Sequence, residues 1–233
     1  MEALIAFCTA LVTLRLATEL AQHHRSTRKP EHALWAAGLA SYAIAAGALA
    51  WGSAAGWDVH AFRVYYLCGG LLTAALLGAG SLRRIGVAAA TPVSILFAGF
   101  AIGLVLAEPL LAPVSGTAIP DAKEHLAFLP ARLAAVLGNA VGTLALVGVA
   151  GVGLRRRPLE NTLVLCGVAI AAAGSAVAGL GVAPTTAFIA VAAILLYGGF
   201  MGRAGRTARL ASSVQTVLER AKGQRHGHRP ETG

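Results

Sequence analysis

Residues 85–107 read IGVAAATPVSILFAGFAIGLVLA, 23 consecutive positions without an aspartate, glutamate, lysine or arginine. An α-helix of about 20 such residues crosses the roughly 30 Å hydrocarbon layer of a bilayer. Working outward, residues 33–57, 64–82 and 133–154 are equally free of charge. The run 161–202 is uncharged for 42 residues, too long for one crossing, and Gly179, Gly181 and Pro184 near its middle predict two spans joined by a tight turn. Residues 3–22 are apolar apart from Arg15 and Glu19. The pattern predicts an all-α, polytopic membrane protein with seven transmembrane helices in a domain covering residues 1–202.

Composition points the same way. Apolar residues make up 57% of the chain and charged ones 12%, against roughly a quarter in an ordinary soluble domain, so the surface of a soluble fold cannot be built from them. The net charge of +9 is unevenly placed. Fifteen of the 19 basic residues fall in alternate connections and the tail: Arg25, Arg28 and Lys29, then Arg83 and Arg84, then Arg155, Arg156 and Arg157, then seven beyond residue 202. The opposite connections hold Arg63, Lys123 and Arg132. Because basic loops stay in the cytoplasm, this asymmetry predicts an outside N-terminus and a cytoplasmic C-terminus in a bacterial inner membrane. No basic stretch sits on a soluble fold, so a nucleic-acid partner is not expected.

The first span begins Met1-Glu2 and carries its basic cluster behind the apolar run, the reverse of a signal peptide, so it is expected to be retained. Cys8, Cys68 and Cys166 all fall inside spans and read as apolar side chains, although Cys8 and Cys68 share a depth that a disulfide would need. Residues 109–130 contain Pro109, Pro113, Pro120 and Pro130, which forbid a long helix. Asp121 and Glu124 have capping-box spacing, predicting a short helix at the outer surface. Residues 203–233 are expected to be a cytoplasmic segment: a basic amphipathic helix containing Leu210, Val214, Val217, Leu218 and Ala221, then a disordered tail.

Helix association in lipid relies on small residues, and GxxxG spacing occurs at Gly99 and Gly103, Gly138 and Gly142, and Gly198 and Gly202. These contacts suit packing within the chain, a homo-oligomer or a membrane partner. Two connections also look alike: Arg28-Lys29-Pro30-Glu31-His32 leads to Gly38 and Gly52, and Arg156-Arg157-Pro158-Leu159-Glu160-Asn161 leads to Gly167 and Gly181. The prolines are 128 residues apart and both glycine pairs 129, which suggests parallel three-helix repeats around a linking fourth helix. The third and seventh helices do not align.

This layout resembles SWEET-type sugar transporters and microbial rhodopsins in topology alone. Arg63-Val64-Tyr65-Tyr66-Leu67 with Gly69, Leu77-Gly78-Ala79-Gly80 and Gly198-Gly199-Phe200 resemble an uncharacterised family of bacterial seven-helix multi-pass proteins, a likeness that implies the architecture and no activity. The lysines, Lys29, Lys123 and Lys222, lie outside the spans, so a retinal Schiff base is excluded. Haem would need histidines inside two spans, and Asp121-x-x-Glu124-His125 is only half a zinc site. No cofactor and no metal is expected.

Charges in hydrocarbon are costly, on the order of 3 kcal/mol each, and are therefore functional suspects. Arg15 and Glu19 are four apart on one helix face and are expected to pair. Arg63, Glu108 and Arg132 should lie at one depth near the outer face, with Tyr65 and Tyr66 just below, as a vestibule for a small polar or anionic solute. Arg and Tyr also collect at headgroups merely as anchors. Ser41, Tyr42, Thr73, Asn139, Thr143 and Ser175 form a thin polar layer near mid-membrane, of which Asn139 most needs a partner on another helix. The functional expectation is a small-solute transporter or permease. A non-catalytic scaffold or sensor subunit docking a partner is the alternative, and an intramembrane lipid-modifying enzyme using Glu108 and His125 a further one.

Overall fold

Pro30 and Pro158 each open a helix, the position where proline's missing N–H and fixed φ cost nothing. The computed structural model describes residues 2–176 and 187–201; among these there are helices and their connections, one of them long, and no strand. The helices are α1 (Glu2–Thr27), α2 (Pro30–Ala55), α3 (Val59–Arg84), α4 (Ala90–Ala107), α5 (Leu133–Gly153), α6 (Pro158–Ala176) and α7 (Ala187–Met201). Local chemistry sets their ends. Asp58 caps α3 by accepting from the Ala61 N–H at 2.8 Å. At the other end of α3, Gly86 has φ 98°. Its N–H donates to the Arg83 carbonyl and that of Val87 to the Leu82 carbonyl, the paired bonds of a Schellman stop.

Five helices are long and apolar enough to cross a membrane: α1 to α4, and α5 with its entry turn (Phe128–Gly153). α6 and α7 are apolar but shorter within the described residues. The turn expected at Gly179, Gly181 and Pro184, the Ser175 side chain and the amphipathic segment from residue 203 lie outside the described residues. On α4, Ile95, Leu96, Phe100 and Leu106 are all more than half exposed, Leu96 at 73%. Water does not tolerate such a face, and lipid does.

The three cysteines are free, Cys68 buried and the other two exposed. The proline-rich connection forms an ordered cap. Its helix is only Ala122–His125, with Asp121 accepting from the Lys123 N–H at 2.8 Å. Val114 and Leu126 of the cap are buried in one core with Trp57, Phe62, Tyr66 and Leu71. The cap lies at the end of the bundle opposite Arg25, Arg84 and Arg157, which are called here the cap end and the basic end.

α3 and α5 meet through glycine. A Cβ on Gly78 would fall 2.6 Å from the Gly142 Cα, and one on Gly142 would fall 2.7 Å from the Ala75 nitrogen. Backbones approach here as no larger side chain would permit. The same spacing at Gly99 and Gly103 does nothing of the kind, since among the described residues a Cβ added at either would meet no other element within 4 Å.

The packing repeats where the sequence alignment stops. Gly38 of α2 receives Leu77 of α3, and Gly80 of α3 receives Trp35 of α2. In α6 and α7, Gly167 receives Leu196, and Gly199 receives Val164. The α2 positions map onto α6 at an offset of 129 and the α3 positions onto α7 at 119. The third and seventh helices therefore do correspond, as Leu77-x-x-Gly80 and Leu196-x-x-Gly199, once the different link lengths are allowed for. The next contact follows suit. Gly78 touches α5, while Tyr197 at the matching place in α7 donates its hydroxyl to Glu19 of α1. Each third helix thus packs on the first helix of the other unit.

Candidate functional site

At the cap end, Arg63 donates to the carbonyl of Glu108 at 2.8 Å and to that of Leu106 at 3.2 Å, closing the free C-terminus of α4. The expected ion pair with the Glu108 carboxylate is not made. Glu108 is buried at 6% exposure, and no guanidinium lies within ion-pairing distance of its carboxylate among the described residues. Its own main chain has captured the arginine instead. Arg132 stands over the Phe128 ring at 5.5 Å. The Tyr66 hydroxyl donates to the Ala131 carbonyl, next to Arg132, at 3.3 Å. Tyr65 meets the Trp57 ring edge-on at 5.4 Å. Arg63, Tyr65, Tyr66, Glu108 and Arg132 therefore gather at the cap end, joined through backbone and rings. His125, suggested as a partner for Glu108, packs on Phe62 at 5.5 Å with Nδ1 3.3 Å from the Ala112 carbonyl oxygen.

Deeper in the bundle, α3 is not a regular helix. Tyr66–Leu72 winds as a π-helix, a rare form that frees carbonyls from the usual ladder and recurs at functional places. Asn139 of α5 donates its amide to the Gly70 carbonyl within this stretch at 2.6 Å. Thr73 donates both its hydroxyl, at 2.7 Å, and its N–H to the Cys68 carbonyl. Two of the polar-layer residues thus serve the same break in α3. Ser41 is also buried, along with two residues the sequence reading passed over, Thr9 and Thr13 of α1. Thr13 donates to the Thr9 carbonyl at 2.8 Å, the back-bonding typical of helix hydroxyls.

Arg15 and Glu19 pair at 3.3 Å, with the Arg15 side chain 81% exposed. Tyr197 makes Glu19 an interhelical group as well as a local one.

The basic end holds a cluster that the sequence reading missed. Glu160 is buried, with Arg157 at 3.5 Å and Arg84 at 3.9 Å. Arg84 lies 5.8 Å from the centre of the Trp35 ring, and Trp35 stacks on Phe200 at 4.4 Å. His32 meets Trp35 and His23 edge-on. Contacts from α1, α2, α3, α6 and α7 converge there. The available signal was a carboxylate at the first turn of a helix beside three arginines, the match of Glu31 in the other connection. Among the described residues, no three His, Cys, Asp or Glu side chains come together as metal ligands.

No protein family, curated protein or solved structure matches this chain.

Proposed function

We propose that this chain is a small-solute transporter of the bacterial cytoplasmic membrane, crossing it seven times with the N-terminus outside and the C-terminus in the cytoplasm. The observation that carries the reading is the shared packing of α2 on α3 and of α6 on α7, with each third helix leaning on the first helix of the other unit. Parallel repeats joined by a linking helix are a recurrent plan of transporters, and alternating access comes from one repeat moving against the other. The seam between repeats is where such motion would occur, and it contains the π-helical break of α3 and Asn139. Arg63, Tyr65, Tyr66, Glu108 and Arg132 stand at its outer mouth as the groups that would meet a polar or anionic solute.

A second reading is favoured by α4, whose Gly99 and Gly103 lie open beside exposed Ile95 and Leu96. In it the chain docks a membrane partner or a second copy through that face.

Proteoliposome swelling separates the two. Vesicles containing the purified chain are shifted into iso-osmotic glycerol, glucose or sodium lactate, and swelling is followed by light scattering. Faster swelling than in protein-free vesicles with at least one solute, slowed by Arg132→Gln, is the expected result. Rates equal to protein-free vesicles with all three would remove the transporter reading and leave the docking one.

A further inference from the structure

The seam between α1 and α2 opens at the basic end into a groove of about 410 Å³, at the small end of ligand-sized cavities (roughly 300–1,000 Å³). Leu14, Ala17 and Ala21 of α1 and Ala36 and Ala40 of α2 line it, and Arg25 stands at its mouth. The lining is apolar and small because alanines recur on the facing sides of both helices. Ala17 and Ala36 are buried, whereas Arg25 is exposed and has no hydrogen bond or ion pair among the described residues. His24, beside Arg25, has Nδ1 2.7 Å from the Lys29 carbonyl oxygen and so is already engaged. Arg28 and Lys29 follow in the turn, and the net charge around the mouth is positive.

The dimensions select an occupant. From Leu14 to Arg25 the helix rises roughly 16 Å, the depth of one leaflet of a hydrocarbon layer about 30 Å thick. A single extended hydrocarbon chain is narrow enough. The unengaged cation stands at the level of the headgroups, where arginine takes phosphate oxygens two at a time.

We infer that the α1–α2 groove holds one acyl chain of an anionic phospholipid, with Arg25 binding its phosphate. This inference needs the bilayer and not the transport reading. Anionic lipid is selected over zwitterionic lipid because its headgroup lacks a compensating ammonium, so the positive charge around the mouth adds attraction.

The test is native mass spectrometry of the full chain in mild detergent after incubation with phosphatidylglycerol or phosphatidylcholine. Phosphatidylglycerol is expected to be retained about tenfold more tightly, the scale of one charge-assisted contact. Arg25→Gln should remove most of that preference. Arg155→Gln, which also removes an exposed charge at the same end but outside the groove, should leave it intact. Ala37→Phe, which fills the groove from an exposed position, should weaken both lipids while the thermal midpoint holds. Equal retention of the two lipids, equal losses from Arg25→Gln and Arg155→Gln, or displacement of bound lipid by millimolar inorganic phosphate would each overturn the inference.

Discussion

The Asn139 amide reaches across from α5 to the Gly70 carbonyl of α3 at 2.6 Å, joining two helices at the one place where α3 departs from α-helical winding. Interhelical hydrogen bonds in membranes average about 0.6 kcal/mol, with about 1.7 the largest measured. Here the bond is short and its acceptor lies within the π-helical stretch, so Asn139→Leu should cost toward the upper figure. Thermal unfolding in detergent measures it, and an unchanged midpoint would mean that the bond carries no load.

The two GxxxG pairs of α4 and α5 make opposite predictions. Gly142→Leu drives a side chain into the backbone of α3 and should cost more than the roughly 1–3 kcal/mol of ordinary overpacking, to the point of lost expression. At Gly103 an added Cβ meets no other described element within 4 Å, so Gly103→Leu should be tolerated by the monomer. Comparable losses from both, seen in expression and size-exclusion profiles, would contradict the packing described.

Removing the Glu160 carboxylate leaves Arg84 and Arg157 facing each other at the basic end. Arg84 is mostly buried and Arg157 mostly exposed, so Glu160→Gln should cost between the ~1 kcal/mol of an exposed pair and the ~3–5 of a buried one. Adding Arg84→Gln should recover part of that loss, and Arg157→Gln less. A double-mutant cycle reads the coupling, which is absent if the cluster is not formed.

Arg63 holds the main chain of Leu106 and Glu108, which remains whatever side chain stands at 108. Arg63→Gln and Glu108→Gln are therefore expected to lower the thermal midpoint additively. Partial rescue in the double mutant would instead restore the shared ion pair that the charge pattern suggested.

If the chain crosses the membrane seven times, as proposed, the cap and the tail lie on opposite sides of it. In a background without Cys8, Cys68 and Cys166, single cysteines at Ala122 and Ser212 should react with an impermeant maleimide from outside and only after lysis, respectively. Labelling of both from one side would refute the topology.

How much of this was legible without the fold depends on the range of each interaction. The Arg15–Glu19 pair and the Asp121 cap could be read directly because both lie within one helical turn, where spacing alone sets proximity. The cap-end group was found from depth, since charged residues bounding apolar runs must lie near the same interface. Its pairing was misjudged, because Arg63 could reach a carboxylate or the unsatisfied carbonyls of a helix end, and the choice turns on where α4 stops.

By itself, the sequence determined that the chain is helical, how its apolar runs are spaced and where its basic residues collect, because burial in lipid acts on every residue through composition alone. Only the tertiary structure decided which helix faces meet. In helices built of alanine and glycine nearly every face is smooth enough to pack, so Gly142 against Gly78, Gly99 in open space, Tyr197 on Glu19 and Trp35 on Phe200 are told apart only by shape complementarity between residues far apart in the chain.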